Sequence, residues 1–181
     1  ARGRGSRGGC ARGAGGRRMT AAAVRAAIGL GANLGDPAAA IARAVDAIAH
    51  LPGCTLVAVS PSYRTAPVDA TGPDFVNAVA LVDTTLPAAD LLAQLLAIEQ
   101  RAGRERPSRN APRTLDLDLL LYGDARLDTP ALQVPHPRMH LRAFVLVPLL
   151  DVWPGAVVPG RGPARELLAQ VRDQPIARLG G

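Results

Sequence analysis

Aromatic residues, cysteine and lysine are the scarce residue types in this 181-residue sequence. Only 3% of the residues are aromatic although 48% are hydrophobic, so leucine, valine, isoleucine and alanine must fill the core. The complete absence of lysine excludes a phosphate-binding loop of the G-x-x-x-x-G-K-[ST] type. The two cysteines, Cys10 and Cys54, are too few for a disulfide framework or a cysteine metal site, which fits a reducing compartment. No apolar run approaches the ~18–20 residues of a membrane span, so we expect a soluble, cytoplasmic protein with no membrane partner.

Positive charge is concentrated at the amino-terminal end. The formal net charge is +6, but residues 1–18 hold six of the 21 arginines and no acidic residue, which leaves 15 basic and 15 acidic residues elsewhere. A Gly/Arg-rich segment without an apolar run cannot bury enough surface to offset its ordering entropy. We therefore expect residues 1–19 to be a disordered tail that is not necessarily native, with Met19 as a candidate start. Residues 20–181 are expected to form a single domain.

Hydrophobic periodicity predicts alternating strands and helices. Strands are expected at residues 24–30, 55–63, 75–85 and 115–122, helices at 37–51 and 87–103, and a short amphipathic helix near 164–171. Asp36 and Pro37 have the residue types of a helix cap and a first helical position. The order strand, helix, strand, strand, helix, strand is that of a ferredoxin-like α+β fold, in which both helices cover one face of an antiparallel sheet. The remaining carboxyl-terminal segments are additions to that plan.

Two carboxylates occur at alternate positions of the predicted fourth strand. Side chains at i and i+2 of a strand share a face. Leu115, Leu117 and Leu119 are therefore expected in the core, with Asp116 and Asp118 side by side on the opposite face. Like charges so close favour a cation between them, and carboxylate oxygens suit Mg²⁺, which takes further ligands from water and phosphates. The alternative is a half-exposed strand with a solvated acidic face.

Arginines precede this strand in the sequence, and a histidine follows it. Five arginines lie in or beside the loop that leads into it, namely Arg101, Arg104, Arg106, Arg109 and Arg113. Guanidinium groups bind polyphosphates, so next to a carboxylate pair they indicate a nucleotide site; a solvated basic loop is the alternative. His136, in the segment Val-Pro-His-Pro-Arg, is either a phosphate contact or an ordinary loop residue.

The glycine-rich segment at residues 29–35 does not match a dinucleotide fingerprint. It follows a predicted strand and precedes a helix, but Leu34 stands where the third glycine is required. We expect these glycines to form a tight turn beside a ligand.

Five motifs, in the same order along the chain, resemble those of the 6-hydroxymethyl-7,8-dihydropterin pyrophosphokinase family. They are residues 28–35 (IGLGANLG), 62–65 (SYRT), 75–77 (FVN), 111–120 (APRTLDLDLL, preceded by Arg109) and 134–136 (VPH, followed by RAF at 142–144). The resemblance spans roughly residues 24 to 155. It implies an ATP- and magnesium-dependent transferase that makes the pterin diphosphate and AMP in folate biosynthesis.

The resemblance also implies roles for individual residues. Asp116 and Asp118 are expected to bind two Mg²⁺ ions and, with Arg104 and Arg113, to be catalytic. The residues implied for ATP are Glu99, Arg104, Arg106, Arg113, Leu119, His136 and Arg142. The residues implied for the pterin are Thr65, Val68, Phe75, Asn77 and Phe144, the two phenylalanines stacking on the ring and the asparagine bonding to its edge. We expect a monomer that acts on these two small molecules.

Two other classes of protein fit parts of the sequence. A ferredoxin-like regulatory module without catalysis explains the fold, but gives no reason for two aspartates on one face after an arginine-rich loop. An RNA-binding protein would use the basic tail and the sheet surface, and needs aromatic side chains at exposed strand positions. The predicted strands offer little of this kind beyond Phe75 and Tyr122, so no nucleic-acid partner is expected.

Overall fold

The computed structural model describes residues 22–67, 72–103 and 114–180. The first part of the chain contains β1 (Val24–Ala32), α1 (Pro37–Ala49), β2 (Cys54–Val59), β3 (Tyr63–Thr65), β4 (Phe75–Thr84), α2 (Ala88–Arg101) and β5 (Asp116–Tyr122). The second part contains β6 (Leu127–Asp128), β7 (Gln133–Val134), a 3-10 helix (Met139–Leu141), α3 (Ala143–Val152), β8 (Val157–Val158), β9 (Gly162–Pro163), α4 (Ala164–Gln170) and β10 (Ala177–Arg178). In the described part of the chain, no helix has the length and apolar character needed to cross a membrane.

Six of the described strands form one antiparallel sheet. Its order is β10-β3-β4-β1-β5, and β2 pairs with the same edge of β4 as β3 does. The strands β5, β1, β4 and β2 have the order of a ferredoxin-like sheet, so the predicted α+β fold class is confirmed. The predicted tail lies outside the described residues.

The strand predicted at residues 55–63 is two strands in the structure. β2 pairs with residues 80–84 of β4, and β3 pairs with residues 75–77. The break contains Pro61, which has no N–H to donate to the ladder. Ser60 spans the break, because its N–H donates to the Val79 carbonyl and its hydroxyl accepts from the Val79 N–H, both at 2.9 Å. The second strand then carries Thr65 alongside the start of β4.

The two long predicted helices cover one face of the sheet. Asp36 caps α1, since its carboxylate accepts from the N–H of Ala39 at 3.0 Å, and Pro37 begins the helix as expected. The predicted core leucines of the fourth strand all pack in this layer and are at most 4% exposed (Leu115, Leu117 and Leu119). The face that bears the two aspartates is consequently turned away from α1 and α2.

The other face of the sheet is covered by α3 and α4. Leu146 and Leu149 of α3 pack there against Leu81 of β4. A bulge in β5 places two successive leucines, Leu120 and Leu121, in the same layer, because the β1–β5 register shifts between Ala27 and Ile28. This second layer leaves one end of the sheet face uncovered, and a cavity lies over that end.

Candidate active site

The floor of this cavity consists of two rows of residues across three strands. Asp118 is paired with Gly29, which is paired in turn with Val79. The next row contains Asp116, Gly31 and Asn77. Directly paired residues share a sheet face, so both carboxylates stand on the same side as the asparagine. In each row, only the backbone of a glycine lies between the aspartate of β5 and its counterpart in β4.

Neither glycine lies in a turn, and only Gly31 is approached more closely than a Cβ atom ordinarily allows. A Cβ atom on Gly31 would lie 3.2 Å from Oδ1 of Asn77, and one on Gly29 would lie 3.4 Å from the side chain of Leu120. The prediction of a tight turn is wrong for these two positions, because β1 continues through Ala32. It holds for Gly35, which has a φ of +64° in the turn before α1.

The cavity has a volume of about 520 Å³, within the range of small-molecule sites. Three segments form its walls: Thr65, Ala66 and Pro67 at and after the end of β3; Leu141 through Val145 at the start of α3; and Gln174 with Pro175 near the carboxyl terminus. Phe75 and Phe144 both line it, so the two phenylalanines of this aromatic-poor chain face one space.

The orientation of Asn77 is fixed by a buried hydrogen bond. Its Nδ2 donates to Oγ1 of Thr65 at 2.9 Å, and the two residues are only 6% and 7% exposed. Because the amide nitrogen is engaged with Thr65, Oδ1 lies towards Gly31 and the cavity floor. The site therefore contains a fixed amide beside an apolar wall.

A histidine and two arginines flank the carboxylates. Nε2 of His136 lies 4.0 Å from Oδ2 of Asp118, and its Nδ1 accepts a hydrogen bond from the N–H of Arg138 at 3.2 Å. Burial, followed by the charges of Arg142 and Arg138, lowers the pKa of His136 to about 4. The imidazole is thus neutral at pH 7, and its proton is on Nε2 because Nδ1 accepts from Arg138.

A second cavity of about 230 Å³ adjoins the first beside β5. It is lined by Leu92, Asp118, Leu119, Pro130, Ala131, Leu132, Gln133, His136 and Pro137. Asp118 lines both cavities, whereas Asp116 lines only the larger one, so the two spaces meet at Asp118.

The donor set fits a magnesium ion whose coordination is completed by other molecules. Across residues 22–67, 72–103 and 114–180, no three His, Cys, Asp or Glu side chains are grouped closely enough to hold a metal by themselves. Asp116 and Asp118 offer two hard oxygen donors beside open space. Mg²⁺ characteristically uses one or two carboxylates, with waters and substrate phosphates as its other ligands.

Comparison with known proteins identifies the family. The family model described as 7,8-dihydro-6-hydroxymethylpterin-pyrophosphokinase (HPPK) matches residues 27–154. The chain is 49% identical over 158 residues to the 2-amino-4-hydroxy-6-hydroxymethyldihydropteridine pyrophosphokinase of Pseudomonas aeruginosa, an alignment that covers 87% of this chain and 98% of that protein. It is 43% identical over 156 residues to the protein of the same name from Methylorubrum extorquens, covering 86% and 98%. The chain belongs to the HPPK family.

Solved structures of HPPK proteins share the fold. The crystal structure of wild-type Plasmodium falciparum HPPK-DHPS with pteroate matches with a TM-score of 0.64 and 14% sequence identity. The match covers 82% of this chain and 42% of that longer protein. At this level of identity the likeness shows the common architecture.

The structure brings most of the predicted HPPK site residues to the two cavities. The larger cavity is lined by Thr65, Phe75, Asn77, Asp116, Asp118, Arg142 and Phe144, and the smaller by Leu119 and His136. Glu99 lines neither; it is 1% exposed, and its Oε1 accepts from the N–H of Leu117 at 2.7 Å. Its contact with the nucleotide stays a prediction. Val68, Arg104, Arg106 and Arg113 lie outside the described residues.

Several lining residues were not predicted from the sequence. Arg138 and Leu141 lie between the two motifs at residues 134–136 and 142–144, and could have been suspected from that position. Gln174 and Pro175 belong to no motif, and only the return of the chain after α4 brings them to the site.

Proposed function

We propose that this HPPK protein transfers the diphosphoryl group of ATP to the hydroxymethyl oxygen of 6-hydroxymethyl-7,8-dihydropterin and releases AMP, as a step in folate biosynthesis. The observation that carries the proposal is the position of Asp116 and Asp118. Both stand beside the glycine floor of a cavity of about 520 Å³, and Asp118 also lines the neighbouring cavity of about 230 Å³. Transfer of a diphosphoryl group between two substrates requires a binding space for each substrate and charged groups where the two spaces meet.

The larger cavity suits the pterin. Phe75 and Phe144 offer flat apolar surfaces on which a heterocycle can stack. Asn77, held by Thr65, offers an amide of fixed orientation to the polar edge of the ring. A ring bound there would place its hydroxymethyl group over the glycine floor, near the aspartates.

The smaller cavity suits the nucleoside part of ATP. Leu92 and Leu119 provide apolar surface, and the cavity extends to His136 and Asp118. Arg142 lines the larger cavity, is close enough to His136 for its charge to act on that imidazole, and carries the charge to bind a phosphate. Arg104, Arg106 and Arg113 are proposed as further phosphate ligands, as the family motif implies.

The chemistry is an in-line displacement. The hydroxymethyl oxygen forms a bond to the β-phosphorus, the bond from that phosphorus to the α–β bridging oxygen breaks, and the hydroxyl proton is released. Two magnesium ions bound by Asp116 and Asp118 would neutralise charge on the triphosphate and on the transition state. The side chains of this protein bind both substrates, align them and supply positive charge from arginine, as such transfers require. Action as a monomer in the cytoplasm stays a prediction.

The two aromatic residues that an RNA-binding sheet surface would use are engaged elsewhere in the described part of the chain. Phe75 lines the cavity, and the Tyr122 hydroxyl donates to the Leu86 carbonyl at 2.7 Å while its ring packs against the core. Neither aromatic residue is therefore presented on an open sheet face.

Product analysis tests the proposal. The protein is incubated with magnesium-ATP, with and without 6-hydroxymethyl-7,8-dihydropterin, and the nucleotides are separated by chromatography. Pterin-dependent AMP is expected. Formation of ADP would instead show single phosphoryl transfer on the same site, and the absence of pterin-dependent turnover in folded protein would favour a binding module.

A further inference from the structure

The carboxyl-terminal segment joins two walls of the larger cavity. Ala177 and Arg178 of β10 pair with β3, and the N–H of Leu179 donates to the Ser62 carbonyl at 2.9 Å. A few residues earlier, Gln174 and Pro175 line the cavity beside α3. The segment therefore connects the wall that carries Thr65 with the wall formed by the start of α3.

Gln174 makes the contact with α3 through both ends of its side-chain amide. Its Nε2 donates to the Leu141 carbonyl at 2.8 Å, and its Oε1 accepts from the N–H of Ala143 at 2.9 Å. These two peptide groups lie on either side of Arg142. The side chain thus fixes the backbone immediately before and after one arginine.

The start of α3 has no side-chain cap of its own, so a side chain from elsewhere is needed to accept from its first N–H. Arg142 occupies the N-cap position, where Ser, Thr, Asp or Asn would normally accept from a first-turn N–H, and it makes no side-chain cap. Its side chain instead lines the cavity, with the guanidinium carbon 5.4 Å from the centre of the Phe144 ring. Gln174 satisfies the Ala143 N–H in its place.

We propose that Gln174 is a positioning residue for Arg142. By bonding to the peptide groups on both sides, it holds the extended backbone of Arg142 (φ −129°, ψ 109°) so that the guanidinium faces the cavity. The inference rests on the proposed function, in which Arg142 binds a phosphate of ATP.

Gln174 has little to contribute to global stability. The residue is exposed on its outer side, so water can replace both hydrogen bonds when the amide is removed. Water does not fix the position of the backbone, however. Substitution should therefore affect catalysis more than unfolding.

The first test compares Gln174→Met, which keeps the approximate shape and removes both hydrogen bonds, with Gln170→Met. Gln170 is exposed at the end of α4 and lines neither cavity. We expect Gln174→Met to lose about tenfold in kcat/KM for ATP, since small displacements of a binding group carry losses of 10- to 100-fold. The two variants should have similar melting temperatures. Unchanged kcat/KM in Gln174→Met would overturn the inference.

The second test is a double-mutant cycle with Arg142→Ala, measured as AMP release. If Gln174 acts through Arg142, Gln174→Met should cost less than about twofold once the guanidinium is absent. The same tenfold loss in both backgrounds would overturn this inference alone. A wild-type protein that released no pterin-dependent AMP would overturn the proposed function as well.

Discussion

The glycine floor of the cavity can be tested by adding a single methyl group. Gly31 has ordinary extended backbone, so alanine fits its conformation without strain. The new Cβ would nevertheless lie 3.2 Å from Oδ1 of Asn77, a contact closer than most Cβ atoms make. Either the amide or the floor of the site must then shift by a few tenths of an ångström.

The size of the effect follows from what holds Asn77. The side chain is buried and bonded to Thr65 at 2.9 Å, so it cannot move without weakening that bond. A net hydrogen bond contributes about 1 kcal/mol, and a displaced amide also forms a poorer bond to the ligand. A total of about 1–2 kcal/mol corresponds to pterin binding weakened by about 5- to 30-fold. Replacement of glycine by alanine in a compatible conformation gains about 0.4–1 kcal/mol through the unfolded state, which offsets the crowding.

Calorimetry in the presence of a non-hydrolysable ATP analogue measures the change in pterin affinity. Urea unfolding measures the change in the free energy of unfolding. Gly155→Ala is the matched control, because a Cβ there meets nothing within 4 Å and the residue lines neither cavity. We expect Gly31→Ala to weaken pterin binding with the free energy of unfolding within about 1 kcal/mol of wild type. Wild-type affinity in Gly31→Ala would refute the role assigned to the floor and to Asn77.

Two further predictions concern β3, at Tyr63, and the wall of the larger cavity, at Phe144. Burial and the 2.6 Å hydrogen bond to Asp151 raise the pKa of Tyr63 to about 12, so the unfolded protein loses this proton first and stability should fall as pH rises from 10 to 12. Tyr63→Phe should lower the free energy of unfolding by about 1.5–3 kcal/mol at pH 7. In urea unfolding it should also reduce the loss of stability between pH 10 and 12. An unchanged loss of stability in that range would contradict the assignment of the raised pKa to Tyr63. Phe144→Ala should weaken pterin binding by about 5- to 150-fold through lost stacking worth ~1–3 kcal/mol. Phe144→Tyr should retain most of the affinity. Equal pterin affinities of the two variants in fluorescence titration would contradict a stacking role.

The fold and the carboxylate pair could be predicted because their signals are local. Leu115, Leu117 and Leu119 alternate with the aspartates, and a period of two is enough to assign the two faces of a strand. The cap at Asp36 and Pro37 is equally local. These predictions needed no knowledge of the rest of the chain.

Other features depend on tertiary contacts. The apolar segment that contains Pro148 has no helical periodicity, because α3 is buried between the sheet and the carboxyl-terminal segments, so its helix was not predicted. Whether Pro61 would end a strand or only distort it depends on how the chain pairs with β4. Gln174 acquires a partner only when the chain returns to α3, which no sequence spacing indicates.

The most direct test of the central claim is single-turnover AMP formation by Asp116→Asn and Asp118→Asn under saturating magnesium, ATP and pterin. Asp124→Asn, an exposed turn residue outside both cavities, is the control. We expect a loss of about 10³-fold or more at each site aspartate, equivalent to at least ~4 kcal/mol of transition-state stabilisation. We expect wild-type turnover in the control. Near-normal turnover in either site variant would contradict the assignment of the carboxylate pair as the catalytic centre.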